Sequence, residues 1–446
     1  MDTTKKVVGV LADFTKWLDG YGETSWDHQS FFAGRVGGAA KSLYYRQKLL
    51  GTAAVAPMIF CEAFLPAARR LFHQRIRFAI ADAHYAMGFA FLHEATGSDC
   101  YLERAIHFLE ELKASRSPGF KEHCWGYPFD WVWRGGTIKK GTPLITTTPY
   151  CYEAFLQVAE LLKADGRWQM ADGRQDLGGH LPSVVSRRDC MEIAESIARH
   201  AANDIKDFTT SSNASSCSYT PDDEGGVINA AAYRAFLLTS ASQVFGNSAY
   251  GKIAERNLNF VLENQNADGS WFYAVDGVRD FVDHYHTCFV MKALAKIHDL
   301  TGHEPALGAL REGVSYYLNN LFDTDGLPKP FAKAPRLTVY KRELYDCAEC
   351  INLCLLLRDR FPQLETTLET VVQGILKDWI KADGSFRSRR LHFGWDNVPM
   401  HRWGQAQMFR ALAYYVCEQT KAEKLTTETL TQKRNTELLT AEMLKS

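Results

Sequence analysis

Three observations on the 446-residue sequence predict an all-α toroid: an (α/α)6 ring of six inner and about six outer helices with an N-terminal helical extension. Helix-length apolar segments alternate with amphipathic ones along most of the chain. Short joints carrying a glycine lead out of the apolar segments, and long joints lead back into them. The long joints are loaded with aromatics, Gly, Asp and His: CWGYPFDWVW from Cys124, YTPDDEGG from Tyr219, DGSWFY from Asp268, DGLPKPF from Asp325 and DGSFRSRRLHFGWD from Asp383.

Residues 79–95, 143–162, 227–244, 284–300, 340–357 and 402–416 are Ala- or Leu-rich and apolar around much of the circumference. That pattern belongs to helices buried on several sides. Residues 99–114, 189–207, 248–265, 304–321 and 363–380 are amphipathic and predict the outer ring. In 248–265, Tyr250, Ile253, Ala254, Leu258 and Val261 form one stripe, while Lys252, Glu255 and Arg256 face outward. A sixth outer helix comes either from 1–18 or from the segment around 44–70. Thr96-Gly97-Ser98, Phe245-Gly246-Asn247 and Thr301-Gly302-His303 read as a left-handed C-cap followed by a new N-cap. With helices alternating in direction, the long loops open at one end and form a mouth. Residues 165–186 are a polar, Gly-rich insertion after an inner helix and read as a flap. The predicted organisation is an N-terminal helical segment over 1–75 packed on the toroid, the toroid over 76–420, and a polar tail over 421–446 that docks as a helix or frays.

Composition narrows the function classes. With 46% hydrophobic and 12% aromatic residues the chain buries a large core. A formal charge of −1, with Lys and Arg spread along the chain, argues against nucleic acid as a partner. The first twenty residues lack the apolar core of a secretion signal, and the eleven scattered cysteines suit reduced thiols, so a cytoplasmic location is expected. Residues 49–65 are the most apolar stretch but contain Pro57 and Glu62 and are short for a bilayer span. They leave open a contact with a membrane surface or with a biosynthetic complex.

Several segments carry a resemblance. QNADGSW, from Gln265, resembles the QW-type repeat of squalene and terpenoid cyclases. YTPDDEGGVINAA from Tyr219, DGSWFYAVDGVRDFVDHYHTCFVMKAL from Asp268, ELYDCAECINL from Glu343 and MHRWGQAQMFRAL from Met400 together resemble bacterial (α/α)6-toroid proteins of polysaccharide-biosynthesis loci. These are relatives of the six-hairpin glycosidase and terpenoid-cyclase-like toroids, similar in architecture to glucuronyl C5-epimerase toroid domains. The resemblance spans roughly residues 79–416 and implies the fold and a carbohydrate setting. Its expected partner is an oligosaccharide or polysaccharide, uronate-containing or lipid-linked. A terpene-cyclase chemistry fits less well, because Asp222-Asp223-Glu224 lacks the D-x-D-D spacing and no DDxxD-type magnesium motif is present.

Asp283-His284-Tyr285-His286 is the densest titratable cluster, placed where a loop enters an inner helix. A histidine titrates near neutrality and serves as general base or acid without much tuning. The plainer alternative is that Asp283 caps the helix and one histidine is structural. Tyr219, Asp222 and Asn229 form a second set; Asp222 or Asp223 equally suits a cap, and Asn229 needs a partner inside an apolar helix. Tyr345 and Asp346 repeat that Tyr–Asp theme. His401, Arg402 and Trp403 with Gln405 form a third set, in which Arg402 offers a planar fork to a carboxylate and the helix N-terminus adds favourable potential. The alternative for Arg402 is a salt bridge to a loop acid.

Trp125, Tyr127, Trp131, Trp133, Trp271, Tyr273 and Trp395 supply flat faces on which sugar rings stack, with core anchoring the alternative for about half of them. Cys347, Cys350 and Cys354 lie on one face of an apolar helix rather than in a zinc pattern, so neither a metal nor a cofactor is expected. Residues 34–42 (GRVGGAAKS) lack the glycine that a P-loop has before its lysine.

Two chemistries fit such a cleft. One is proton abstraction at C5 of a uronic acid, giving epimerisation or β-elimination, with His284 or His286 and Tyr219 as base and acid and Asn229 and Arg402 on the carboxylate. The other is glycoside hydrolysis by a pair among Asp130, Asp222, Asp283 and Asp346. A glycan-binding scaffold without catalysis is the third role.

Overall fold

Two concentric sets of helices, with tight glycine turns at three of the inner-to-outer joints and long loops leading back, make up the computed structural model, which describes residues 3–164, 185–335 and 338–443. Helix α1 (Thr3–Tyr21) is followed by a helical excursion of α2 (Ser30–Ala33), α3 (Arg35–Arg46), α4 (Lys48–Phe64) and α5 (Arg69–Phe72). Hairpins then alternate inner and outer helices: α6 (Ala79–Thr96) with α7 (Asp99–Ala114), α8 (Thr148–Ala164) with α9 (Arg187–Asn203), and α10 (Ile228–Phe245) with α11 (Ser248–Glu263). The series continues with α12 (His284–Thr301) and α13 (Glu304–Asn320), α14 (Leu344–Leu357) and α15 (Gln363–Asp378), and ends on α16 (Ala406–Met443).

Helices α6, α8, α10, α12, α14 and α16 touch in succession and α16 closes on α6, so the inner ring is complete. Of the two segments expected to supply the sixth outer helix, α1 is the one that does. It packs on α15 and α16, and Asp19 near its end bonds Arg104 of α7 at 2.7 Å.

Local chemistry sets the joints. Gly97, Gly246 and Gly302 end three inner helices at φ near +70°, +66° and +67°, the left-handed region open to glycine at low cost. The outer helices α11, α13 and α15 are each followed by an Asp-Gly turn. Asp268, Asp325 and Asp383 accept the backbone N–H two residues on, at 3.0 Å in each case. Those aspartates shape the loops rather than face the mouth.

The long loops add short antiparallel strands to the all-α frame, and some of them stitch neighbouring loops together. β1 (Trp131–Trp133) pairs with β2 (Gly136–Ile138), and β3 (Asp207–Thr209) with β4 (Ser215–Cys217), each within one loop. β5 (Val282–Asp283) pairs with β6 (Phe331–Lys333) of the next loop. β7 (Tyr340–Glu343) pairs with β8 (Arg389–Leu391), which continues to β9 (Trp395–Asp396).

These pairings account for the differences from the sequence expectations. The stretch 340–343 is strand, so that inner helix begins at Leu344. The helix expected from Pro143 begins at Thr148, because Leu144 and Ile145 donate to the carbonyls of Trp125 and Tyr219 in the loops instead. The outer helix expected over 189–207 runs over Arg187–Asn203, started by a reciprocal Ser186–Asp189 capping box, and Asp207 opens a strand. The last inner helix begins with a widened turn over His401–Gln405, in which Gly404 takes φ +141°, and only then becomes regular. Past 420 the backbone stays helical through Met443 in the same helix. The flap expectation for 165–186 falls almost wholly outside the described residues.

Closure of the ring rests on close approach of α6 and α16. A Cβ built on Gly88 would lie 2.7 Å from two ring carbons of Phe409 and 3.2 Å from the Arg410 Cα. Gly88→Ala therefore overpacks this seam and is expected to lower stability by about 1–3 kcal/mol in urea unfolding. Unchanged stability would show that the two helices can part without cost.

Candidate active site

The inner helices start at the mouth, and the loops deliver a bowl of rings above them. Tyr127 stacks on Phe129 at 5.5 Å and meets Trp131 edge-on at 5.5 Å. Trp131 lies 6.2 Å from Tyr219. On the other side, Tyr345 stacks on Trp403 at 4.7 Å, and Tyr285 meets Trp403 edge-on at 5.4 Å. Tyr273 stacks on Phe281 and lies 4.6 Å from the His286 ring.

The two histidines of the DHYH cluster separate, because positions two apart on a helix point about 200° apart. His284 turns outward and is fully buried. Its Nδ1 lies 3.2 Å from the Leu321 carbonyl and its Nε2 2.7 Å from the Tyr317 hydroxyl. His286 turns inward among Tyr273, Tyr285 and Phe289. Asp283 caps the helix by accepting the His286 backbone N–H at 3.0 Å, and it also takes the Nδ1 proton at 2.6 Å. That bond leaves Nε2 as the basic nitrogen, and no described residue bonds it. The expectation of a capping Asp283 and that of a working histidine are thus compatible.

Asp346 is fully buried with no hydrogen-bond partner for either carboxylate oxygen among the described residues. Burial, and then the charges of Glu343 and Asp283, push its carboxyl well above the usual range. Asn229, near the start of α10, is buried with its Oδ1 unpartnered. Burial likewise raises the Tyr285 and Tyr345 phenols, which stay proton donors.

Arg402 is committed inside the protein. Its Nε and Nη2 donate to Asp27 at 2.9 and 2.7 Å, its Nη1 to the Tyr127 hydroxyl at 3.1 Å, and its plane lies over the Tyr127 ring. Burial raises the Asp27 carboxyl, but Arg402 and then His28 outweigh it and hold the group ionised. The salt-bridge alternative describes Arg402 as it stands.

The remaining expected site residues are placed as follows. Trp125 and Trp271 are buried, and each donates its indole N–H to a carbonyl near the end of an outer helix, Leu112 at 2.9 Å and Val261 at 3.0 Å. His401 is buried between the Tyr85 hydroxyl at 2.6 Å and the Gly22 carbonyl at 3.0 Å. Trp395 packs on Trp379 between Arg387 and Arg390, and Trp133 is half-buried on the β1–β2 hairpin. Asp130 bonds Lys139 and the Lys140 amide on that hairpin. Asp222 is exposed. Its neighbour Asp223 ties the turn by accepting from Tyr219, Thr220 and Gly225, and α10 starts without a side-chain cap. Tyr219 accepts from Thr146 at 3.0 Å at the edge of the bowl.

Beneath the bowl lies a polar floor. Tyr150 and Tyr233 share a hydrogen bond of 2.6 Å, with Phe289 beside both. Lys292 pairs with Glu349, and Lys296 reaches Glu153. Arg410 sits 5.6 Å from the Tyr150 ring centroid and 3.5 Å from His84 Nδ1, with its Nε buried and unbonded. Lys292, Lys296 and Arg410 thus stand against two acids, Glu349 and Glu153, so basic side chains are in excess on this floor. Two cavities of about 420 and 410 Å³ lie away from the bowl, one by Glu23 and His107, the other by Asn264 and Phe272. Within the bowl the side chains pack on one another. Glu23, His107 and Glu111 have metal-ligand spacing, but Arg77 pairs with both acids, at 2.6 and 3.1 Å.

No protein-family model matches this chain, and no curated protein matches it by sequence. Solved structures match it in three dimensions. An unsaturated glucuronyl hydrolase specific for heparin aligns with 94% of this chain and 98% of its own, with a TM-score of 0.58 at 9% identity. The unsaturated glucuronyl hydrolase of Bacillus sp. GL1 gives 0.54 over 92% and 96% at 12% identity. Cellobiose 2-epimerase from Bacillus thermoamylovorans B4167 gives 0.55 over 77% and 88% at 10% identity. The chain is an (α/α)6 toroid. At such identities the likeness is one of fold, and the chemistry has to be argued from the side chains.

Sequence reasoning passed over Asp27, His28 and the floor residues Lys292, Glu349 and Arg410, and named Tyr285 only as a member of the DHYH cluster. A signal for the last three was present: a charge inside an otherwise apolar helix demands a partner or a ligand.

Burial pulls the His401 imidazole down to about 4 from its ordinary 6.5, only partly offset by the Gly22 carbonyl. Its neutral form fits the fold and its protonated form favours the unfolded chain. Its contribution is therefore intact above about pH 6.5 and is lost as pH falls toward 4, on the order of 3 kcal/mol. Urea unfolding of wild type and His401→Gln across that window should show a shallower acid loss in the variant; parallel curves would remove His401 as the cause.

Proposed function

We propose that this toroid is a carbohydrate-active enzyme that moves a proton on an acidic sugar residue, in the manner of a uronate C5-epimerase or lyase, with His286 as the base. The observation that carries this reading is the Asp283–His286 pair at 2.6 Å, which fixes one tautomer and turns a basic Nε2 toward an aromatic bowl. Rings of this kind receive the C–H faces of sugars. The inner-helix N-termini and the basic floor around Arg410 and Lys292 favour a carboxylate, whose neutralisation makes the adjacent C–H more acidic. Tyr285 and Tyr345, held protonated, are suited to return a proton from another direction. Solved proteins of the same fold include glucuronyl hydrolases and an epimerase, which agrees with a glycan substrate. The substrate is an oligosaccharide or polysaccharide carrying a uronate.

One observation favours a second reading, glycoside hydrolysis. Asp346 is a buried carboxyl held well above the usual range, with both oxygens unpartnered among the described residues, and an upward shift of that kind suits a general acid.

Incubation with uronate-containing oligosaccharides in D₂O separates the two. Proton abstraction gives C5–H exchange by NMR, falling by about 10²-fold or more in His286→Ala. In His284→Ala, stability falls and exchange per folded molecule persists. New reducing ends without exchange, abolished in Asp346→Asn, would replace the first reading by the second. Binding without either product would leave a glycan-binding scaffold.

A further inference from the structure

Helix α4 carries an apolar face that the ring does not cover. Leu49, Ala53, Ala56, Phe60 and Phe64 recur at helical spacing and all are exposed, Leu49 to 89% and Phe60 to 56%. Leu50, Ile59 and Leu65 widen the stripe, and Leu71 in α5 is 88% exposed. Across a gap in sequence, Phe393 in the β8–β9 hairpin is 75% exposed and stacks on Phe64 at 6.0 Å, and Phe60 packs on Phe64 at 5.0 Å. Scattered exposed leucines are ordinary, but a continuous face of this kind marks a contact surface.

Charge says what covers it. Residues 28–76 contain seven Lys or Arg and a single acid, Glu62. Glu62 is half-buried and bonded to Arg389 at 2.8 Å, so it presents no free negative charge. Arg46, Lys48 and Arg70 flank the stripe, are exposed, and make no ion pair among the described residues. A second copy docked about a two-fold axis would set these like charges against one another. Anionic headgroups above an apolar interior complement both features at once. The helix is about 25 Å long, and among the described residues no helix is long and apolar enough to cross a membrane, so the fitting geometry is in the interfacial plane.

We propose that α4, with Leu71 and the Phe393 hairpin, is a docking face for an anionic lipid bilayer. The face adjoins the mouth: Arg389 bridges Glu62 of α4 to Glu343, whose other oxygen accepts the Trp403 indole N–H at 3.0 Å. Docking therefore holds the bowl at the bilayer surface, where lipid-carried glycans are presented. The docking face stands on its own observations, independent of the reaction.

Flotation of the full chain with phosphatidylcholine vesicles, with and without about one third phosphatidylglycerol, tests this. Wild type should float with the anionic vesicles, weakly with neutral ones, and less as salt rises. Leu49→Ser/Phe60→Ser/Phe64→Ser and Arg46→Glu/Lys48→Glu/Arg70→Glu should each lower binding by about tenfold or more, with melting curves unchanged because all six positions are exposed. Absence of flotation with either vesicle, or variants that bind like wild type, would overturn the proposal. So would a wild-type dimer in sedimentation that the serine variant dissociates.

Discussion

The buried bond between Arg402 and Asp27 joins residues 375 apart and holds the seam of the ring. Neither partner is more than 4% exposed, so both have lost their water and depend on each other. Breaking such a pair from one side costs about 3–5 kcal/mol, because the survivor is left charged in the interior. Two further arginines pair along the same seam, Arg69 with Asp396 at 2.7 Å and Arg389 with both Glu62 and Glu343. The N-terminal excursion is thereby locked over the last loop. Arg402 in turn orients Tyr127, and the widened turn it sits in presents Trp403 to Tyr345. The bowl is thus anchored to a segment far away in sequence.

The inner ring combines an apolar wall with a charged axis. Lys296 of α12 reaches Glu153 of α8 past the intervening α10, and Phe289 meets Tyr150 along the same diagonal. Such cross-axis pairs define the inside of the ring as much as the apolar neighbours do. Beside them, Arg410 and Asp346 keep polar atoms that lack partners among the described residues. Unpartnered polar atoms beside a closed set of ion pairs are where a polar ligand gains most.

The helices were legible because burial on one side or on several sides imposes different periodicities. The glycine joints were legible because few other residues end a helix in the left-handed region. Loop chemistry was less so. Tyr127 and Trp125 sit two residues apart in one aromatic run, yet one faces the mouth and the other closes off the end of α7. The Asp-Gly repeats look like scattered acids and are one turn used three times. Asp27 and His28 gave little local signal, since their role depends on Arg402.

The sequence by itself determined the alternation of buried and half-buried helices, the long loops between them, and the apolar character of 49–65, because each follows from local periodicity and composition; that this run is exposed was decided by the tertiary structure. Only the tertiary structure decided which of two histidines, two positions apart, faces the axis. It also decided that Arg402 is spent on Asp27, and that Asp346, Asn229 and Arg410 keep polar atoms without a partner among the described residues. Those outcomes turn on a rotation of about 200° around one helix and on partners hundreds of residues away, neither of which a local pattern encodes.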